Sequence, residues 1–354
     1  MAYVKLVRPH WFLASTLAAM IGIFQAWASG SSDVLLAVVV IVGVILHHAI
    51  LETWDELQDY ANYREQATGD LAEPATLFSG GSGVLTGRLL TVAQVWRFFG
   101  ATAAAAVIVL VALIVLAGWP VLLCVAAGVL VMVNYNSLLK LSYRGWGEFA
   151  NFISFGPIMV CSAYVVMTVG SRDQHSGSPL SLVDEQTLMM SVVMGLFWFG
   201  SLHIQEMLDY DEDKAGGKET LVVKFGKEYA ARVPAATAVA IVGLVVCLST
   251  QDPGFLIAVP VAILHLCETT LFALRWRDPT YFMRKMTSFF VYRNFVLMSL
   301  SFLLSVCLRT LPNAASGAGL MSIALLTAVS SLPALAFLSS NGVFGLSRRQ
   351  RVTT

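Results

Sequence analysis

Charge is what this sequence has least of. Only 12% of its 354 residues are Asp, Glu, Lys or Arg, and they balance to a formal net charge of zero. A soluble domain carries about 25%, so this chain does not supply an ordinary solvated surface. It has no basic patch, which excludes nucleic acid as a partner. Cysteine is sparse too. Cys124, Cys161, Cys247, Cys267 and Cys307 all lie in apolar runs without metal-ligand spacing, so they read as small buried hydrophobes and not as a zinc site. The glycine-rich stretch Ser79–Gly83 follows no strand and is not a Walker loop. It is expected to be a flexible reach over one mouth of the molecule. No cleavable signal peptide is evident: the first apolar run, Trp11–Ala28, lacks a polar c-region and reads as a retained span.

Apolar length is abundant. Hydrophobic residues make up 57% of the chain, and mean hydropathy is +0.74. Apolar runs fall near 11–29, 34–54, 95–118, 119–136, 149–170, 187–208, 231–250, 253–274, 289–308 and 316–339. At roughly 20 residues each matches a ~30 Å hydrocarbon layer. With the N-terminus on the cytosolic side and alternating spans, 20 of the 22 Lys and Arg residues fall inside, and only Arg172 and Arg309 fall outside. That one-sidedness satisfies the positive-inside rule and predicts a multi-pass helical membrane protein.

The acids are concentrated. Fourteen of 22 lie in Glu52–Glu73 and Glu206–Glu228. The two segments share a spacing: Glu52, Asp55 and Asp59 match Glu206, Asp209 and Asp213. Positions i, i+3 and i+7 fall on one helical face, so each set forms a stripe at the cytosolic end of its span, as in a parallel internal repeat. His48 and His203 lie one turn below Glu52 and Glu206 and are the partners the spacing offers. Surface charge is the plain reading, but like charges at i,i+4 and acids at a helix C-terminus both destabilise a helix. Six clustered carboxylates call for a counter-charge, and hard divalent cations such as Mg²⁺ suit them. Glu52 and Glu206 belong to that metal set with the four Asp residues. Elsewhere, Glu268 is an intramembrane acid with a site role or a structural contact in prospect. Asn134, Tyr135 and Asn136 end the fourth span on the cytosolic side, near the acidic mouths. Glu148 and Asn151 either point into the cavity or cap the next helix. Phe152, Phe155, Trp198 and Phe199 line an apolar tunnel or are core.

The stretch from Asp209 to Gly226, Asp-Tyr-Asp-Glu-Asp-Lys-Ala-Gly-Gly-Lys-Glu-Thr-Leu-Val-Val-Lys-Phe-Gly, resembles the second motif of the UbiA superfamily of intramembrane prenyltransferases. Lys140–Glu148 ("KLSYRGWGE"), Phe155–Val160 ("FGPIMV") and Phe78–Leu85 ("FSGGSGVL") look like its MenA-like branch. The resemblance covers residues 5–308, leaving an extra apolar segment and basic tail at 309–354 within a single 1–354 domain. It implies an all-α bundle of nine transmembrane helices around a central cavity; the apolar run 316–339 departs from it and would add an extra C-terminal span. It also implies Mg²⁺-dependent (or Mn²⁺-dependent) ionisation of an isoprenyl diphosphate and prenyl transfer to a lipophilic aromatic acceptor. Asp55, Asp59, Asp209 and Asp213 would be catalytic, and Lys140, Arg144, Lys218 and Lys224 would bind diphosphate. There are departures. Asp55 stands in the family's Asn place, Tyr63 in that of the last Asp of the first motif, and Leu138-Leu139 where Pro-Pro is common. Upstream of the second motif, Glu206 and Leu208 replace Asn and Arg. These changes keep a UbiA-type terpene cyclase as the second reading. A cation transporter with paired acidic gates is the third, although transporter carboxylates tend to sit at mid-membrane broken helices.

Overall fold

Proline and short polar side chains set where the helices begin. Pro9 and Pro120 occupy first-turn positions of two helices, where a missing N–H costs nothing. Thr91 and Gln94 form a reciprocal capping box at a third, with Thr91 N donating to Gln94 Oε1 over 2.8 Å. The Asp184 carboxylate accepts from Thr187 N at 2.6 Å at a fourth. The computed structural model describes residues 2–66, 82–171, 183–288 and 290–310. In chain order its helices are α1 (Ala2–Leu6), α2 (Pro9–Ala28), α3 (Val34–Gln66), α4 (Val92–Ala117), α5 (Pro120–Asn136) and α6 (Gly147–Ile153). A π-helical segment, Ser154–Cys161, runs on into α7 (Ser162–Ser171). Then come α8 (Glu185–Ala215), α9 (Leu221–Phe225), α10 (Lys227–Gln251), α11 (Val259–Arg275), α12 (Pro279–Ser288) and α13 (Phe290–Thr310). Among the described residues there is no strand.

Among the described residues, eight helical stretches are long and apolar enough to cross a membrane, and α5 adds a shorter apolar helix of 17 residues. The expected span at 316–339 lies outside the described residues. α2 is the hub: 83% of its apolar stretch is buried, against 6% for α4, which lies at the periphery. α3 and α8 outrun their expected spans at 34–54 and 187–208, and the overhangs carry the four Asp residues of the two stripes. The π segment contains Pro157, which cannot supply a helical N–H. It packs against α8 almost backbone to backbone. A Cβ on Gly156 would lie 2.8 Å from Gly195 Cα, and one on Gly195 would lie 2.6 Å from the Phe152 carbonyl oxygen, so both positions require glycine.

Polar ties close the two ends. At the acidic end, Glu56 Oε2 accepts from Ser82 N (3.0 Å) and Ser82 Oγ (2.7 Å), and Oε1 accepts from Leu85 N (3.1 Å). The described part of the glycine-rich stretch, from Ser82 on, is therefore fastened by Glu56 and not free, above a small apolar cluster of Leu6, Leu57, Val84, Leu85, Leu90 and Val95. At the opposite end, Arg309 pairs with Asp252 (3.1 Å) and donates to Gln186 (2.7 Å) and Gln25 (2.5 Å), joining α2, α8 and α13. This arginine departs from the one-sided charge pattern because it is consumed within the bundle.

Candidate active site

The ends of α3 and α8 meet across one cavity of about 210 Å³. Its lining includes both acidic stripes in full: Glu52, Asp55 and Asp59 from α3, and Glu206, Asp209 and Asp213 from α8, with Glu212 beside them. Below the acids the walls turn apolar, with Trp11, Leu51, Met132, Phe155, Trp198 and Leu202.

Each acid is held by a local device. Glu52 lies 3.6 Å from an Arg8 guanidinium nitrogen and 3.2 Å from His48 Nε2, while His48 Nδ1 meets Ser15 Oγ at 2.6 Å. The i,i+4 partnership is therefore present on α3. It is absent on α8, where His203 turns toward Tyr229 and its Nδ1 meets the Phe199 carbonyl at 2.8 Å. Tyr229 belongs to α10, so the packing of α8 against α10 claims the imidazole. Glu206 faces Glu148 instead. Asn136, at the end of α5, donates to Asp55 and, over 3.3 Å, to Asp59, and its own carbonyl accepts from Ser142. One amide thus bridges the two acids of the first motif. In the second, α8 stops at Ala215, and Gly217 takes a left-handed φ of 69°. Lys218 N then returns to the Asp213 carbonyl at 2.8 Å, a Schellman-type closure. That turn brings Lys218 Nζ within 3.4 Å of Asp213 Oδ1. The Tyr143 ring lies 5.7 Å from the same ammonium.

Of the four basic residues expected at a diphosphate, Lys218 lines the cavity, and Lys140, Arg144 and Lys224 do not. Lys224 donates to the Arg144 carbonyl at 3.0 Å and pairs with exposed Glu219 at 3.3 Å. Lys140, in a left-handed conformation with φ 49°, extends over Tyr143. With Glu219 N on the Tyr143 carbonyl (2.9 Å) and Leu221 N on Glu148 Oε1 (3.2 Å), these contacts lock the loop after α8 onto the loop before α6. Glu148 is fully buried and does not line the cavity. Tyr135, Asn136 and Asn151 do line it, whereas Asn134 bonds back to the Leu130 carbonyl. Glu268 lies apart, bonded to Arg293 and to Asn294 (2.8 Å), in the structural role. Arg8, Ser142, Gln205, Trp11 and Trp54 line the cavity without having been singled out. Arg8 left the only usable signal: a cation directly ahead of Pro9 at the mouth of the first span.

The donor set fits a hard cation. Asp213 Oδ2 and Glu206 Oε2 are buried oxygens with no hydrogen-bond donor among the described residues. No three His, Cys, Asp or Glu side chains among the described residues converge on one point. Mg²⁺ needs no such cage, since it takes one or two carboxylates and completes its shell with water and substrate phosphate.

Fold and site together define a multi-pass helical membrane protein with an acid-lined cavity at one end of the bundle. The family model of the UbiA prenyltransferase family matches residues 12–293, and the chain belongs to that family. No curated protein matches the chain by sequence. Among solved structures, a UbiA homolog from Archaeoglobus fulgidus superposes with a TM-score of 0.58 at 15% identity, over 87% of this chain and 99% of that one. The same homolog bound to GPP and Mg²⁺ gives 0.57 at 15%, over 86% and 99%. A structure of digeranylgeranylglyceryl phosphate synthase gives 0.56 at 15%, over 86% and 97%.

Proposed function

We propose that this chain is a Mg²⁺-dependent intramembrane prenyltransferase that ionises an isoprenyl diphosphate and transfers the prenyl group to a lipophilic aromatic acceptor. The observation that carries this reading is the meeting of both acidic stripes and Lys218 over a floor of aromatic side chains in one cavity. The structural relative bound to GPP and Mg²⁺ supports the substrate class. Asp55, Asp59, Asp209 and Asp213 would hold the metal, with Glu52 and Glu206 one turn deeper. When bound, Mg²⁺ would neutralise charge developing on the diphosphate as a Lewis acid. Mn²⁺ offers the same hard chemistry.

The remaining work falls to the chain's own residues. Lys218 and Arg8 offer cations to diphosphate oxygens beyond the carboxylates. Asn136 fixes Asp55 and Asp59 in one orientation, so little reorganisation accompanies ionisation. The allylic C–O bond breaks and its electron pair leaves with the diphosphate. The apolar walls keep water from the cation until a ring carbon of the acceptor bonds to it and that carbon's proton departs. In this reading the N-terminus and the acidic end face the cytosol, as the distribution of basic residues requires. Lys140, Arg144 and Lys224, which do not line the cavity, would attract diphosphate to its mouth.

Phe155 and Trp198 stack beneath the acids, and such a floor also suits a cation folding back on its own double bonds, which is the cyclase reading. The test is incubation of purified protein with C10 to C20 isoprenyl diphosphates and Mg²⁺, with and without aromatic acceptors, read by diphosphate release and mass spectrometry. Prenylated aromatic formed only with acceptor is the expected result. Hydrocarbon formed without acceptor would replace transferase by cyclase. No diphosphate release under any condition would refute both and return the transporter.

A further inference from the structure

The floor of the cavity is built on one side chain. Trp198 stacks on Phe155 with ring centroids 4.0 Å apart and planes at 21°. Trp11 and Phe295 close on the same indole at 5.2 and 5.6 Å. Behind it lies a second void of about 10 Å³, walled by Phe197, Ser201, Val291, Tyr292 and Phe295. Among the described residues, Trp198 alone lines both spaces.

We propose that Trp198 sets the length of isoprenyl chain that the cavity accepts, as the wall on which the chain's far end stops. This rests on the prenyl diphosphate reading above. Trp198 lies eleven positions before Asp209 on α8, about 16 Å along the axis at 1.5 Å per residue. A substrate whose head group sits among the motif acids and whose tail runs down α8 therefore meets the indole. The indole does not swing aside freely, because rings pack it on three sides and only 6% of the residue is exposed. The space behind it is apolar in effect. Ser201 Oγ accepts from Gln205 Nε2 at 3.1 Å, and the Tyr292 hydroxyl donates to the His10 carbonyl, so both hydroxyls are engaged. A longer chain would find only hydrocarbon there, once the indole is removed.

Substitution at Trp198 is mild for the fold in one direction. Its indole N–H is buried without an acceptor among the described residues, so Trp198→Phe removes an unsatisfied donor while keeping most of the wall. The experiment uses the full chain in lipid nanodiscs and compares kcat/KM for C10, C15 and C20 isoprenyl diphosphates. Trp198→Ala is expected to raise the C20-to-C10 ratio by about tenfold or more, the discrimination of one or more chain carbons in an apolar pocket, and Trp198→Phe by less. Adding Val291→Phe to Trp198→Ala refills the void and is expected to restore the wild-type ratio. If Trp198→Ala fails to fold, Trp198→Leu and Trp198→Phe carry the same comparison. An unchanged ratio in the folded variants overturns the proposal, and means that the tail leaves the cavity sideways between helices. No release by the wild-type chain from any length would overturn the functional reading and this inference together.

Discussion

Lys218→Ala separates the two lysines that the sequence presents as equals. Lys218 Nζ stands 3.4 Å from Asp213 Oδ1, with side-chain exposures of 22% and 3%. Truncation leaves Asp213 buried with no cation at that distance and with its second oxygen already lacking a donor. Breaking a fully buried pair costs about 3–5 kcal/mol. The partial exposure of Lys218 admits screening, which brings the expected loss of stability to about 2 kcal/mol. The catalytic loss is separate. Removing one preorganised charge or donor aimed at a developing anion costs about 10²–10³ in rate, so diphosphate release is expected to fall at least about 100-fold. Lys224→Ala removes a 37%-exposed ammonium from a 69%-exposed Glu219 and from one carbonyl. A loss of at most about 1 kcal/mol is expected there, with activity within about threefold. The assay is release of inorganic diphosphate from a C10 diphosphate at saturating Mg²⁺, with thermal unfolding in detergent followed in parallel. Lys218→Arg is expected to recover part of the activity. Equal activity losses at positions 218 and 224, or a larger one at 224, would refute the assignment of Lys218 to the leaving group.

Replacing Asp55, Asp59, Asp209 or Asp213 by Asn is expected to lower turnover at least about 100-fold in a folded protein; near-normal turnover in any two of the four, measured by diphosphate release, would remove them from the metal set. Exhaustive chelation with EDTA should abolish turnover, and added Mg²⁺ or Mn²⁺ should restore it; persistent activity in chelator contradicts the cofactor. Glu52→Gln and Glu206→Gln should raise the Mg²⁺ concentration for half-maximal activity with little change in melting temperature, whereas a purely structural role predicts the reverse. Glu148→Ala strips Leu221 N of its acceptor and should cost about 1–3 kcal/mol, with a higher KM for diphosphate as the loop bearing Lys218 loosens; Glu148→Gln, which keeps the acceptor oxygen, should restore KM.

The sequence by itself determined the apolar helices among the described residues and the two acidic stripes. Helical spans are written as contiguous apolar length, and a stripe at i, i+3 and i+7 follows from the helix's own period, so neither needs a neighbour to be recognised. The closure that returns Lys218 to Asp213 was equally local, carried by the two glycines after α8, although its consequence for Lys224 was not. What only the tertiary structure decided is how the helices are rotated against one another. Helices that are apolar all round carry little record of which face meets a neighbour and which meets lipid, so sequence spacing gave no hint that Asn136 would bridge Asp55 and Asp59 or that Arg8 would reach Glu52. For the same reason His203 turned to α10 while His48 stayed on Glu52, though both stand one turn below a glutamate. Trp198 was legible as an aromatic that lines a tunnel or belongs to the core, without a choice between the two. Its place between two cavities depends on the close approach of Gly156 and Gly195, a contact between chain segments about 40 residues apart that packing alone creates.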